Sequence, residues 1–153
     1  MAFIPYKQIV QQFEDACNAH EYVQSFAHGT LDYLDASSQN AVYPYVFLRP
    51  LASPGYDQDT RYRQLLFELY ALDVPKLSNE SPVDIMSRME TVIYDLGGYF
   101  NWGPPSEQAI NDYSFDIQSI TPVNEAFNDR AYGWVANTQI QTLGLYNYCD
   151  YPS

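Results

Sequence analysis

At 153 residues the chain is long enough for one domain whose helices cover a sheet, with no need of disulfide or metal staples. Hydrophobic residues make up 46% and charged residues 17%, so there is enough apolar surface to fold and long disorder is not expected. Seven basic against nineteen acidic side chains give a net charge of −12, which argues against a phosphate-binding surface and so against nucleic-acid recognition.

From Pro5 to Ala19, the residues Tyr6, Ile9, Val10, Phe13, Ala16 and Cys17 recur at helical spacing, predicting an amphipathic helix with one buried stripe. Pro5 suits its first turn, where a missing N–H is not needed. The segment EYVQSFAHG alternates up to Gly29 and predicts a short strand. LDYLDASSQN reads as a loop, and VYPYVFLRP as a strand over Tyr45 to Leu48, with Pro44 marking a strand start or a sheet edge. LASPGYDQDT has the Pro, Gly and Asp content of a loop, and RYRQLLFELYALDVP alternates as a strand. Tyr45–Leu48 and Tyr62–Leu72 are therefore expected to form a hairpin with a long loop.

The second helix carries the fullest set of signals. Ser81 can cap it, Pro82 fits the first helical position, Asp84 favours the positive end of the dipole, and Ile85, Met86, Met89, Val92, Ile93 and Leu96 line one face. Gly97 and Gly98 are expected to end it or loosen its last turn. After a loop, Tyr113, Phe115 and Ile117 alternate as a third strand, Thr121 to Tyr132 reads as a long acidic loop, and Tyr132 to Ile140 alternates as the last strand. About a dozen alternating residues exceed the usual strand of roughly five or six, so that strand is expected to project and to pair with another subunit. The predicted fold is α+β, residues 1–153 as a single domain, with an antiparallel or mixed sheet of about four strands and two main helices on one face.

No arrangement for catalysis emerges. His20 lies at the end of the first helix and His28 beside Gly29, both read as structural. Cys17 and Cys149 have neither metal-ligand spacing nor surroundings that would lower a thiol pKa, so they are expected to be free thiols. Asp57 with Asp59, or Glu125 with Asp129, are pairs that could share acid–base work, but solvated loop charge is the better reading. LGG at Leu96–Gly98 follows a helix where phosphate binding needs it to open one. Neither a membrane-spanning run nor a signal peptide is recognisable, so a soluble protein made in a cytoplasm is expected, with no cofactor, metal or catalytic group.

Taken in order, the N-terminal helix, YPYVFLRP, YRQLLFELYALD, SPVDIMSRMETVIYDLGGYF and FDIQSITPVNEAFNDRAYGWVANTQIQT resemble the tail terminator, or tail completion, proteins of long-tailed bacteriophages. The acidic loop followed by Gly133 and Trp134 is the most characteristic part. The resemblance covers nearly the whole chain as a pattern of elements and not as a strict motif. It implies a subunit of a hexameric ring in the virion that caps the tail tube, stops its polymerisation and joins the neck, meeting the sheath in a contractile tail. Another neck or tail ring component, such as a stopper, connector or tube protein, is the alternative, followed by a small carboxylate enzyme or a ligand-binding module.

Subunit contacts are expected on two long loops, Leu51–Arg61 and Thr121–Tyr132. The residues proposed on or beside them are Asp57, Asp59, Arg61, Arg63, Glu125, Asp129, Arg130 and Tyr132, the arginines suited either to charge pairs across a ring or to local anchoring. Tyr146 and Tyr148 join them, because the tail LGLYNYCDYPS is too aromatic to lie idle in water and is expected to cover an edge or dock on a neighbour.

Overall fold

In a computed structural model the elements run α1 (Tyr6–Ala19), β1 (Ser25–His28), β2 (Tyr45–Pro50), β3 (Gly55–Tyr56), β4 (Tyr62–Asp73), α2 (Pro82–Trp102), β5 (Ser114–Ala126) and β6 (Ala131–Leu143). The structure describes residues 4–30, 42–53, 55–56, 62–76, 80–103, 114–126 and 131–143. All strands join one mixed sheet of order β1-β2-β4-β6-β5, parallel between β1 and β2 and antiparallel elsewhere. The α+β class with both helices on one face is therefore borne out. The sheet exceeds the expected four or so strands through β1 and the two-residue β3, which continues β2 along the same edge of β4. Part of the predicted Leu51–Arg61 loop is thus folded against the sheet: the Leu51 N–H donates to the Leu66 carbonyl at 2.9 Å, and Leu66 N–H to Ser53 Oγ at 3.0 Å.

The apolar stripe of α1 buries Ile9, Phe13, Ala16 and Cys17 as its spacing requires. Gln12, from the polar side of that helix, is buried too. Pro5 stands one position earlier than expected, as the N-cap in extended backbone, and its carbonyl accepts from Gln8 and Ile9. At α2, Ser81 Oγ accepts from the Val83 N–H at 3.2 Å and Pro82 opens the helix, as the sequence signals indicate. The expected stop at Gly97–Gly98 is corrected: α2 continues through both glycines to Trp102. Gly97 serves packing, since a Cβ there would lie 3.3 Å from Phe115 and Ile117 side-chain atoms. Gly103 ends the helix, donating its N–H to the Tyr99 carbonyl at 2.9 Å.

Both helices share one core with the sheet. Phe13 lies 4.5 Å from Phe100 between ring centroids, Phe100 stacks on Phe115 at 4.9 Å, and Phe13 meets Phe67 edge-on at 5.6 Å. Each of these fully buried side chains contributes roughly 1.5–3 kcal/mol by leaving water, an upper range because the unfolded chain is itself partly collapsed. Cys17 is a free thiol inside this core, pushed up to about 12 by burial first and by Glu14 second, which keeps it protonated and unreactive.

Two expectations about the C-terminal strands are overturned. β6 does not project, because it is central and paired along its length with β4, from Tyr62↔Leu143 to Asp73↔Tyr132, and with β5 on its other side. The predicted Thr121–Tyr132 loop is mostly strand, with Thr121–Ala126 extending β5 and Ala131–Tyr132 opening β6. Register shifts between Ile117 and Ser119 and between Val123 and Ala126 break the two-residue period that would have revealed the second half of β5. Pro122 hides it further; an edge strand tolerates proline because only one of its sides must supply N–H groups to the ladder.

Gly133 is required where β6 runs close beside β4, opposite Leu72, at φ +158, since a Cβ there would lie 1.9 Å from the Ala71 carbonyl oxygen. Gly133→Ala is expected to cost about 3 kcal/mol or more in urea unfolding. Gly98→Ala, whose Cβ would meet nothing within 4 Å, should stabilise by about 0.5–1 kcal/mol in the same assay.

Candidate functional site

β5 ends the sheet, and nothing pairs with its outer edge among the described residues. A strand edge left open invites indiscriminate pairing, and β5 carries three features that limit it: Pro122, the exposed charge of Asp116 and two bulges. Gln118, Ser119, Thr121 and Asn124 are exposed along it. Cross-strand bonds hold some of these side chains in place, Gln118 Nε2 donating to Gln139 Oε1 at 2.6 Å and Asn137 Nδ2 to Ser119 Oγ at 3.1 Å. The result is a long, polar, ordered border with few charges, suited to a specific protein contact.

The face of the sheet away from the helices changes character across its width. Near β2 it is aromatic: Tyr45 and Phe47 are buried with Ala27, Tyr43 and Tyr70 packed on them. Next to this group Glu68 accepts from Arg49 Nη1 at 3.0 Å and from the Tyr70 hydroxyl at 2.6 Å. Burial, then the Glu68 hydrogen bond and charge, push the Tyr70 phenol up to about 12. Toward β6 and β5 the same face turns to amides and hydroxyls, with Asn137 and Ser119 exposed.

At the far end of β4, Asp73 is buried and holds the start of α2 in place. Its Oδ1 accepts from the Val74 N–H at 2.8 Å and its Oδ2 from Arg88 at 3.4 Å, while Arg88 also donates to Glu80. Glu80 accepts the Lys76 N–H at 2.8 Å, and that bond first, then Arg88, hold its carboxyl below the usual range. A cleft of about 480 Å³ opens here between Tyr22, Pro44 and Lys76. Asp73, Glu80 and Arg88 in its wall are engaged with one another, so the cluster acts as a clamp between β4 and α2.

The histidines are tied into the scaffold. The Tyr22 N–H donates to His20 Nδ1 at 3.1 Å, so Nε2 carries the proton and donates to Asp95 Oδ2 at 2.9 Å, tying the end of α1 to α2. Both ring nitrogens of His20 are thereby occupied, and neither is available as a base. His28 Nε2 meets the Tyr6 hydroxyl at 2.6 Å, and burial lowers its pKa. No group of three or more potential metal ligands occurs among the described residues, and no helix among them is long and apolar enough to cross a membrane.

Of the contact residues named from sequence, Asp57, Asp59, Arg61, Asp129, Arg130, Tyr146 and Tyr148 lie outside the described residues, as does Cys149. Glu125 falls on β5, within the Val123/Ala126 irregularity. Arg63 donates from Nη2 to the Ile4 carbonyl, and burial lowers its pKa, so it anchors the N-terminal segment to β4. Tyr132 is half-buried and packs against the helix-side core. These two do not form one patch: Arg63 pairs with Thr142 and Tyr132 with Asp73, ten residues apart along β6, or roughly 33 Å. The sequence reading missed the Asp73–Arg88–Glu80 clamp because its members come from three segments with no shared motif. It placed only the first residues of β5 and missed the strand's continuation to Ala126, for the reasons of bulge and proline given above. No protein-family model matches the chain, and no curated protein matches its sequence.

Arg88→Met is expected to destabilise by about 2 kcal/mol in urea, because it leaves the buried Asp73 carboxylate with fewer donors. Tyr70 has a folded pKa above its ordinary 10.0, so its contribution is complete below that pH and is lost as pH rises through about 12. Unfolding free energies measured across this alkaline window should fall less steeply in Tyr70→Phe than in the parent protein.

Proposed function

We propose that the protein is a structural subunit of a bacteriophage tail, a tail terminator that assembles as a hexameric ring. The ring caps the tail tube, stops its polymerisation and joins it to the neck. The observation that carries this reading is the β5 border, a 13-residue edge strand with an ordered polar surface. It supports assembly because the two ends of the sheet, β5 and β1, lie on opposite sides of the subunit. A closed ring requires two different complementary patches of this kind on each subunit.

The contact runs through the exposed half of the β5–β6 hairpin, where Thr121, Pro122 and Asn124 stand in water in the isolated chain. The partners are further copies of the chain, the tail tube protein, a neck or stopper protein and, in a contractile tail, the sheath. The net charge of −12 suits a ring through which DNA passes, because acidic groups facing the channel repel phosphate and keep the genome from sticking. The protein therefore belongs to the virion, binds no nucleic acid specifically and works without a cofactor.

Light scattering on the purified protein, alone and with tail tube protein, tests the proposal. The expected result is a hexamer, or a ring that forms on tube ends and halts their growth. A strict monomer that neither binds tube ends nor limits tube length would overturn it. Thr121→Lys with Asn124→Lys should abolish the ring and change unfolding free energy by no more than about 0.5 kcal/mol, as expected for exposed positions.

A further inference from the structure

Two adjacent glycines inside a helix are costly to its stability and need a reason. Gly97 has one, its close approach to Phe115 and Ile117. Gly98 has none among the described residues, since a Cβ there would meet nothing within 4 Å. Instead, Gly98 leaves a groove of about 320 Å³ between the C-terminal half of α2 and the first residues of β5. Asn101 Nδ2 donates to the Phe115 carbonyl at 3.1 Å and fixes the helix to the strand there.

The sides of this groove are aromatic and uncovered. Trp102 is 87% exposed and Tyr94 52% exposed, whereas Trp134, the other tryptophan, is half-buried and donates Nε1–H to the Met86 carbonyl. Its electrostatics are negative on two independent counts. Asp116 is exposed at the groove wall and has no ion-pair partner among the described residues. The last turn of α2 carries no basic residue, so the negative end of its dipole at Asn101–Trp102 is uncompensated.

We propose that this groove binds an extended cationic and apolar segment of a partner protein, laid along the outer edge of β5 as an added strand. Edge pairing supplies main-chain hydrogen bonds, and the groove reads alternate side chains. A guanidinium stacks on Trp102 or Tyr94 beside the carbonyl end of α2, with Asp116 at the groove wall adding negative potential, and an indole face attracts a cation best. The next side chain on the same face, two residues along, fills the hollow over Gly98 with an aliphatic group. The site lies at the opposite end of β5 from the hairpin half assigned to the ring contact, so it goes beyond that reading and does not depend on it.

Fluorescence anisotropy with a labelled octapeptide alternating serine with arginine and leucine in turn tests the proposal, using a glutamate-for-arginine peptide as the control. The arginine peptide should bind the full chain and the glutamate peptide should not. Gly98→Leu, whose Cβ meets nothing within 4 Å and whose side chain occupies the hollow, and Trp102→Ala, at an exposed position, should each weaken binding by about tenfold or more. Asp116→Asn should weaken it by about threefold and reduce its salt dependence. Failure of the arginine peptide to bind, equal binding of the two peptides, or parental affinity in a Gly98→Leu protein with a normal thermal unfolding profile would overturn the proposal. So would the loss of a self-assembled species in Gly98→Leu by light scattering, because the occupant would then be a second copy of the chain.

Discussion

The close approach of α2 to β5, which Gly97 permits, is the contact on which the rest of the fold depends. With no side chain at that position, the helix comes near enough for Phe100 to stack on Phe115, and Phe13 from α1 then closes on Phe100. Three elements far apart in sequence thus meet in one aromatic group, and Phe67 adds the middle of the sheet. Because α2 lies against β4, β5 and β6 together, it sets which strands are covered and leaves β5 at the border. The same glycine pair that lets the core close also opens the groove beside the border.

Charge is organised differently on the two sides of this core. The buried Asp73 is satisfied by a backbone N–H and Arg88, and Arg49 with Tyr70 satisfies Glu68. Such groups are costly to bury alone and tolerable once hydrogen-bonded, so they position the ends of β4 and α2 without adding reactive chemistry. Among the described residues Asp15, Asp84 and Asp116 stand exposed, and the chain as a whole carries a net charge of −12. A polar edge strand, a groove with exposed aromatic side chains and histidines bonded into the scaffold are what the fold leaves at its surface.

How legible this was in the sequence varies by element. The N-terminus of α2 could be read directly, since a cap, a first-turn proline and an acidic residue act locally. The buried stripe of α1 and the alternation of β4 and β6 were equally clear, because each periodicity reports one face turned to a core. The C-terminus of α2 could not be read: two glycines signal a stop on local grounds, and only contact with Phe115 and Ile117 outweighs them. Gln12 likewise looked like a surface residue until the packing around α1 buried it. The Thr121–Tyr132 stretch reads locally as a loop, and only its pairing across the sheet makes most of it strand. The groove at Gly98 left no sequence mark beyond the glycine itself.

By itself, the sequence determined the fold class, the two helices, the main strands and the acidic surface, all of which follow from composition and from periods of two or 3.6 residues. Tertiary structure alone decided the strand order, the central place of β6 and the exposed border along β5. Long-range pairing chooses among strands that look alike locally, and bulges and proline erase the period on the strand that ends the sheet.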